Sequence, residues 1–518
     1  NIVAFDESPK KEGLLYVGTD DGLIQISEDM GKSWKKQNSV AGVPETTYVS
    51  CLKASLHDEN VVYVSFENHK NNDFKPYILK STNKGGSWTS IVGNLPDGEV
   101  IWNIAEDHEN PDLLFIGTEH GLYFTIDNGV NWTKLSAGLP NIAIRDIDIQ
   151  RRENDLVLAS YGRGFYVLDD FSALRDLKKI EDKEDYIFPI RPSLMYNQSS
   201  PFGWRKKGHF GDNFYTADNP PVGAVFTYYV AEGMQTPKQI RKKEEAKKIK
   251  ANEDIPYPSF EEFTKEDNAL KPYILFTIRD EQGKVVRKLK ASASAGMKRI
   301  VWDFRYPATG AIRKNGGKNT FANEGGGLPV MPGNYTVEMA KVVGDQITPI
   351  GNKQSFITRS LYNQRLAADP ATQKLKLEMQ ELNRIFSGVN QEFSLLKKQT
   401  GLVKLAIKAT PNSTLEMMKQ ALEVEQKLDS LNTVLYGNKS LSKRYKASPP
   451  SLNSRLSNAI YNSWGTHEPP TQTQIDDFKI VQNHMDQIQQ DLKNIKADLR
   501  KLDTELDKIK AAYTPGRL

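Results

Sequence analysis

The chain has 518 residues, a formal net charge of +4 and a hydrophobic content of 38%. This length allows roughly three domains of about 100–200 residues each. The balanced charge and ordinary globular composition exclude a disordered tail and argue against a nucleic-acid partner. No apolar run approaches the ~20 residues that are needed to cross a bilayer, so the sequence predicts no transmembrane segment.

Three segments near the start of the chain share the pattern Ser/Thr-x-Asp/Asn-x-Gly-x-x-Trp, which we call the box motif. The copies consist of Ser27, Asp29, Gly31 and Trp34, of Ser81, Asn83, Gly85 and Trp88, and of Thr125, Asp127, Gly129 and Trp132. We expect the hydroxyl and the Asp or Asn side chain to bond to the turn backbone, and the glycine to take a positive φ. We expect each tryptophan to pack back against its own sheet and to be largely buried. The motif is therefore interpreted as a folding device and not as a catalytic element.

A strand pair with a glycine turn precedes the box motifs, and residues 14–23 and 113–122 are near copies of each other. Short glycine turns between β-rich runs predict hairpins. Residues 156–170 form a fourth copy that keeps the hairpin but lacks the tryptophan. The tryptophans recur at intervals of roughly 45–55 residues, which suits four-stranded propeller blades. The sequence thus predicts propeller blades over residues 1–175.

These motifs resemble the Asp-box repeats of sortilin-type receptors, of sialidases and of secreted bacterial BNR-repeat proteins that are often labelled glycosyl hydrolases. The resemblance implies a β-propeller, but the repeat occurs in both enzymes and receptors. It also implies a secreted, periplasmic or cell-surface location in the bacterial envelope. Because Asn1 falls inside a strand-like pattern and proteins of this kind carry more blades, we expect a missing N-terminal part of the same protein.

Residues 176–360 alternate strand patterns with turn signals, which predicts a linker and a β-sandwich. The phrases at 280–286 and 331–335 resemble the immunoglobulin-like modules of secreted bacterial proteins, which implies a spacer or docking role. A Lys-rich insertion covers residues 236–265. Its glutamates and its lack of interleaved aromatic residues favour a solvated helix or mobile loop over a polyanion site.

Residues 361–518 change to a helical pattern. Asp369 followed by Pro370 predicts a helix start, and Thr473 with Asp476 resembles a capping box at the start of the last helix. That helix carries a predicted coiled-coil seam, made of Phe478, Val481, Met485, Ile488, Leu492, Ile495, Leu499, Leu502, Leu506 and Ile509. Either the helices near 371–399, 412–436 and 451–463 cover the seam in an antiparallel bundle, or another chain does; we favour the bundle. The phrase at 449–456 resembles the tail of the same bacterial propeller proteins.

A search for chemistry finds no complete catalytic set. The sequence contains no His-Glu-x-x-His, paired Cys-x-x-Cys or Gly-x-Ser-x-Gly motif, and its histidines have no ligand spacing. We therefore predict no catalytic residue, no metal and no cofactor. Cys51 is interpreted as a small core residue, and Arg191 follows the last blade, where a sialidase arginine would precede the first.

Propeller ligands bind at loops that several blades contribute. On that basis the hairpin residues Asp20, Glu119, Tyr161 and Arg163 are the candidate ligand contacts. The favoured hypothesis is a non-catalytic secreted or envelope protein that recognises a protein or a glycan. The alternatives are a glycan-active hydrolase with its catalytic residues mainly in missing N-terminal blades, or a subunit of an outer-membrane or secretion assembly.

Overall fold

The computed structural model describes residues 1–136, 138–180, 184–196, 217, 219–311, 326–361, 369–464 and 468–517. The chain forms two compact units, Asn1–Glu184 and Asp185–Leu518. The first unit contains antiparallel sheets, and the second contains sheets followed by helices. The architecture is therefore mainly β with a helical C-terminal region.

The first unit consists of four successive antiparallel meanders, which we call blades 1–4. Blade 1 contains β1 (Ile2–Glu7), β2 (Leu15–Thr19), β3 (Ile24–Ser27) and β4 (Lys35–Gln37). Blade 2 contains β5 (Tyr48–Ala54), β6 (Val62–Asn68), β7 (Asp73–Ser81) and β8 (Thr89–Ser90). Blade 3 contains β9 (Ile101–Glu106), β10 (Leu114–Thr118), β11 (Gly121–Thr125) and β12 (Thr133–Leu135). Blade 4 contains β13 (Ile144–Gln150), β14 (Asp155–Ser160) and β15 (Phe165–Leu168).

Apolar side chains between successive blades hold the first unit together. One core joins blades 1 and 2, a second joins blades 2 and 3, and a third joins blades 3 and 4. The first strands follow one another in space, with β1 beside β5, β5 beside β9 and β9 beside β13. This radial repetition, in which each sheet packs face to face on the next, is the arrangement of propeller blades.

A 3-10 helical segment, Phe171–Ile180, packs against blades 3 and 4. The ring of Phe171 contacts that of Phe115 edge-on at 5.1 Å. Arg175 binds the fully buried Asp107 with two hydrogen bonds of 2.6 and 2.7 Å. Because of these contacts, the first compact unit extends beyond residue 175 to Glu184.

The box motifs form three superposable hydrogen-bond patterns. The hydroxyls of Ser27, Ser81 and Thr125 donate to the side-chain oxygens of Asp29, Asn83 and Asp127 at 2.7–2.9 Å. The same hydroxyls accept from the N–H groups of Gly31, Gly85 and Gly129 at 2.8–3.0 Å. The three glycines have φ between 81° and 89°, a region that favours residues without Cβ.

The prediction that all three box tryptophans are largely buried is wrong. Trp132 is 4% exposed, Trp88 is half-buried and Trp34 is 41% exposed. The rings of Trp88 and Trp132 contact the preceding blade. Trp132 Nε1 donates to the Ile91 carbonyl and Trp88 Nε1 donates to Gln37 Oε1, whereas Trp34 Nε1 reaches only the Gly31 carbonyl of its own turn.

In the second unit, two sheets face each other around one aromatic core. The three-stranded sheet contains β16 (Tyr186–Ile187), β18 (Ala224–Val230) and β21 (Gly296–Trp302), in the order β16–β18–β21. The five-stranded sheet contains β17 (Ser193–Met195), β19 (Tyr273–Arg279), β20 (Val285–Ser292), β22 (Gly333–Val343) and β23 (Gln346–Ser360), in the order β17–β23–β22–β19–β20. Both sheets contribute to the core, since Phe226 and Trp302 of the first contact Phe356 of the second.

The Lys-rich insertion forms two helices, α1 (Pro237–Lys250) and α2 (Phe260–Asn268). Helix α1 buries none of its residues. Arg241 of α1 binds Glu266 of α2 with hydrogen bonds of 2.6 and 2.8 Å. The basic segment is therefore a solvated helix that an ion pair ties to its neighbour.

The C-terminal helices form a bundle around one core. They are α3 (Pro370–Ala409), α4 (Leu415–Tyr436), the short α5 (Lys439–Ser442), α6 (Leu452–Trp464) and α7 (Gln472–Lys508). The seam from Phe478 to Leu506 is buried against α3, α4 and α6, as predicted for internal cover. Asp369 caps α3 with Pro370 in its first turn, which confirms that helix start. The predicted capping box of α7 is displaced by two residues, because Thr471 is the N-cap and pairs with Gln474.

Contacts between the sandwich and the bundle explain why they share one compact unit. Gln380 of α3 accepts from the Leu328 N–H at 3.0 Å, and Arg305 donates to the Trp464 carbonyl at 3.4 Å. In the described part of the chain, no helix has the length and apolar character needed to cross a membrane.

Candidate binding rim of the propeller

Each blade has a β-bulge near the beginning of its first strand. The pairing register skips Val3 in blade 1, Ser50 in blade 2, Trp102 in blade 3 and Arg145 in blade 4. A bulge leaves one residue outside the regular ladder and re-aims its side chain. The four blades therefore place one re-aimed side chain each at the same end of the unit, beside the hairpins that join their second and third strands. We call this end the rim.

Planar side chains from three blades are stacked at the rim. The Cζ atom of Arg145 lies 3.4 Å from the ring centroid of Trp102 and 5.1 Å from that of Tyr161. On the other side, the ring of His69 meets Trp102 edge-on at 5.7 Å. The resulting series, His69–Trp102–Arg145–Tyr161, crosses blades 2, 3 and 4. Cation–π contacts of this kind fix the orientation of a guanidinium and of the rings around it.

Two carboxylates hold the stack in place. Glu119, at the hairpin tip of blade 3, accepts from Trp102 Nε1 at 3.0 Å and lies 3.7 Å from Arg145 Nη2. The buried Glu67 of blade 2 pairs with the Nδ1 atom of His69. Glu67 therefore supports the His69 end of the series, and Glu119 supports its two middle members, Trp102 and Arg145.

The hairpin of blade 4 presents its tip to solvent. Gly162 and Gly164 have φ of 80° and 71°, so the tip turns sharply around the exposed Arg163. The Tyr161 N–H donates to the Ala143 carbonyl at 2.9 Å, which fixes the position of the tyrosine backbone. The Tyr161 side chain is nonetheless 70% exposed. The tip thus combines a fixed backbone with two accessible side chains.

The rim brings three of the four predicted contact residues together. Glu119 and Tyr161 flank the Arg145 stack, and Arg163 lies on the same hairpin as Tyr161. Asp20 lies outside this stack and pairs with the amino group and the side chain of Asn1. The assignment of these four residues to ligand binding stays a prediction.

Trp102, Arg145 and His69 are not among the contact residues that the sequence predicts. Trp102 and Arg145 stand at equivalent bulge positions, one residue after the start of their strands. Alignment of the four blades on their hairpins would have shown an aromatic residue and an arginine at this shared position. His69 lies in a loop for which the repeat gives no such signal.

Exposed apolar residues also mark the two outer blade faces. Phe165 of β15 is 76% exposed, while its neighbours Tyr166 and Leu168 pack on the core shared with blade 3. In blades 1–3 the corresponding face is covered by the following blade. On blade 1, Phe5 and Trp34 are exposed. These residues belong to blade-packing faces and are distinct from the rim tip.

No group of three His, Cys, Asp or Glu residues in the described ranges is arranged to hold a metal ion. Cys51 is buried between blades 2 and 3, and its burial raises the pKa of the thiol to about 11. A thiol with that pKa stays protonated near neutral pH, so Cys51 is not poised as a nucleophile. The absence of a cofactor stays a prediction.

No family model and no curated protein matches the chain. Among solved structures, it is similar to YCF48 bound to D1 peptide, at 17% identity and a TM-score of 0.25, over 33% of this chain and 51% of that one. An ancestral GH74 enzyme matches at 14% identity and a TM-score of 0.27, over 44% of this chain and 31% of that one. The GH74 xyloglucanase from Xanthomonas campestris matches at 13% identity and a TM-score of 0.28, over 67% of this chain and 45% of that one.

The chain therefore spans about half the length of these solved proteins, or less. At these TM-scores the likeness carries no argument about fold or activity. The propeller arrangement rests on the four repeated sheets and on the cores between them.

Proposed function

We propose that this protein is a non-catalytic binding protein of the bacterial envelope or the secreted fraction, and that the rim of blades 2–4 recognises a partner protein. The observation that carries the proposal is the stack of His69, Trp102, Arg145 and Tyr161, which three blades build and two carboxylates support. Tyrosine, tryptophan and arginine are the residue types that dominate binding energy at protein interfaces. A stack that is already ordered loses little conformational entropy on binding.

The box motifs and blade faces support membership of the Asp-box propellers. Trp34 occupies the position at which Trp88 and Trp132 each contact a preceding blade. Phe165 faces outward from the side that a following blade covers elsewhere in the unit. We propose that further blades of the same protein cover both faces.

The sandwich is proposed to be immunoglobulin-like and to act as a spacer or docking module. The hydroxyl of Tyr335 donates to the Met331 carbonyl at 2.6 Å, a bond between a strand tyrosine and backbone a few residues upstream. This geometry resembles the tyrosine corner of immunoglobulin-like domains. The buried Trp302 lies against the same tyrosine, with ring centroids 5.1 Å apart.

Affinity capture from the envelope fraction of the source organism tests the proposed function. The full chain is immobilised as the wild type, as Tyr161→Ala/Arg163→Ala, and as Val130→Ala. Val130 is an exposed residue at the opposite end of blade 3, separated from the rim by the length of β11, roughly 17 Å. We expect the wild type and the Val130 variant to retain the same protein, and the rim variant to lose it. Equal retention by all three would contradict a role for the rim.

The alternatives predict different results from the same samples. If the rim recognises a glycan, the exposed ring of Tyr161 would serve as a stacking platform, and the wild type would retain polysaccharide rather than protein. If the protein is a subunit of an envelope assembly held through its helical bundle, the rim variant would still co-purify with that assembly. If it is a hydrolase, its catalytic residues are proposed to lie mainly in missing N-terminal blades.

A further inference from the structure

Two aromatic rings lie beside the Arg145 guanidinium. Its Cζ atom is 3.4 Å from the ring centroid of Trp102 and 5.1 Å from that of Tyr161. A guanidinium that stacks on an aromatic face keeps its edges for hydrogen bonds, because these lie in the plane of the group. The Arg145 side chain is 37% exposed, so a ligand can approach such an edge from solvent.

The hydrogen-bond donors of Arg145 are not used within the described part of the protein. Its Nε atom is buried and has no acceptor there. Its Nη2 atom lies 3.7 Å from Glu119 Oε2, which is beyond hydrogen-bond distance. That carboxylate oxygen instead accepts from Trp102 Nε1. Stacking therefore positions the guanidinium. Because Nε is buried, only the donors on the exposed part of the side chain are available to another molecule.

The equivalent bulge residues of the other blades are used internally. The Ser50 hydroxyl donates to the Ile101 carbonyl at 2.8 Å and lies 2.8 Å from the Ser65 hydroxyl. Trp102 donates its indole N–H to Glu119, and Val3 packs against the core between blades 1 and 2. Among the four bulge residues, Arg145 differs because its Nε atom has no acceptor within the described residues and its Nη2 atom lies 3.7 Å from Glu119.

We propose that Arg145 binds a carboxylate of an acidic peptide segment in the partner protein. This inference rests on the proposed function and deepens it by naming the chemistry of the ligand. The two oxygens of a carboxylate match the planar fork of arginine, and such paired bonds are charge-assisted. Glu119 forms a 3.7 Å ion pair with Arg145 but no hydrogen bond, and Arg163 on the adjacent hairpin supplies a second exposed cation for an acidic segment.

Fluorescence anisotropy with a short labelled peptide of alternating Glu and Gly residues tests this proposal. Its twin has Gln in place of every Glu, and both are blocked at their ends. A third peptide, the Gln twin with a free C-terminus, separates a terminal carboxylate from side-chain carboxylates. Polygalacturonate serves as a competitor that carries carboxylates on a sugar chain. The full-length chain is titrated as wild type, as Arg145→Gln and as Arg145→Lys.

The matched control is Arg151→Gln, since Arg151 is an exposed arginine at the opposite end of blade 4. We expect the Glu peptide to bind about 10- to 100-fold more tightly than the Gln twin, the range for hydrogen bonds to a charged group. Arg145→Gln should lose this difference and Arg145→Lys should keep only part of it, because lysine retains the charge without the fork. Arg151→Gln should match the wild type. Thermal melting of each variant establishes that the fold is intact.

Three results would overturn the inference: equal binding of the Glu peptide and its Gln twin, unchanged selectivity in Arg145→Gln, or no binding of any peptide. Tighter, Arg145-dependent binding of polygalacturonate would assign the carboxylate to a glycan and would overturn the peptide assignment. The proposed function fails separately, since it requires the Tyr161→Ala/Arg163→Ala variant to lose its captured protein. If that capture result holds while the Glu peptide does not bind, the rim recognises a protein by other chemistry.

Discussion

Replacing Trp132 with alanine removes a ring that blade 3 inserts against blade 2. Its indole N–H donates to the Ile91 carbonyl at 2.9 Å, and its backbone N–H donates to Asn94 Oδ1 at 2.6 Å. The same substitution at Trp34 removes a ring whose N–H bonds only to Gly31 in its own turn. The two changes are chemically identical, so they isolate the contribution of packing between blades.

The magnitude follows from the exposed fractions of 4% for Trp132 and 41% for Trp34. The difference corresponds to roughly 90 Å² of a side chain of about 250 Å². At ~25 cal/mol per Å² of apolar surface, this area is worth about 2 kcal/mol. Trp132→Ala should therefore cost about 3–5 kcal/mol, the usual range for a buried tryptophan, and Trp34→Ala about 1–3 kcal/mol.

Hydrogen exchange measured by mass spectrometry on the full chain reports this difference locally. For Trp132→Ala, we expect faster exchange in peptides from both blade 2 and blade 3. For Trp34→Ala, the change should be smaller and confined to blade 1. Equal losses of protection for the two variants would refute the argument that Trp132 is stabilised by the preceding blade.

Three further outcomes are expected. Hydrogen bonds from the Ser33 side chain and backbone and from Ser27 lower the pKa of Asp29 from its ordinary value of 3.8 to about 2. Asp29 therefore stabilises the turn above about pH 4 and loses that contribution as the pH falls towards 2. An NMR carboxyl titration should show the low pKa, and an ordinary value would contradict this expectation. The double variant Leu492→Asp/Leu499→Asp places two charges in the bundle core, and each substitution should cost about 4 kcal/mol or more. Circular dichroism should then show that the helices unfold, whereas the control Leu405→Asp, at an exposed position, should leave them folded. A folded double variant that loses a dimer or a partner would point to cover by another chain. Assays with sialosides, aryl glycosides and peptides should show no turnover by this chain, and turnover abolished by a single carboxylate substitution would overturn that expectation.

Local chemistry explains what the sequence could predict. The hydrogen bonds of a box motif join residues at most four positions apart, so the order of Ser27, Asp29 and Gly31 suffices to specify them. The seam of α7 is similarly a regular pattern along one helix. Its burial could be predicted because a long apolar stripe has to be covered.

Packing between blades could not be predicted from such local patterns. The burial of Trp132 depends on Ile91 and Asn94 of the preceding blade, and the motif itself contains no information about them. The rim stack joins Trp102 to Arg145 through two bulges, whose positions depend on strand pairing. The prediction from hairpin tips therefore included Glu119 and Tyr161 but not Arg145, which lies between them in a first strand.

The most direct test of the central claim is a hydrogen-exchange footprint of the full chain with and without the protein that it captures. We expect protection from exchange in peptides at the rim of blades 2–4, which contain Trp102, Glu119, Arg145 and Tyr161. We expect no protection in the box turns at the opposite end of the same blades. Protection confined to the box turns or to the helices after residue 369 would contradict the assignment of the rim as the recognition surface.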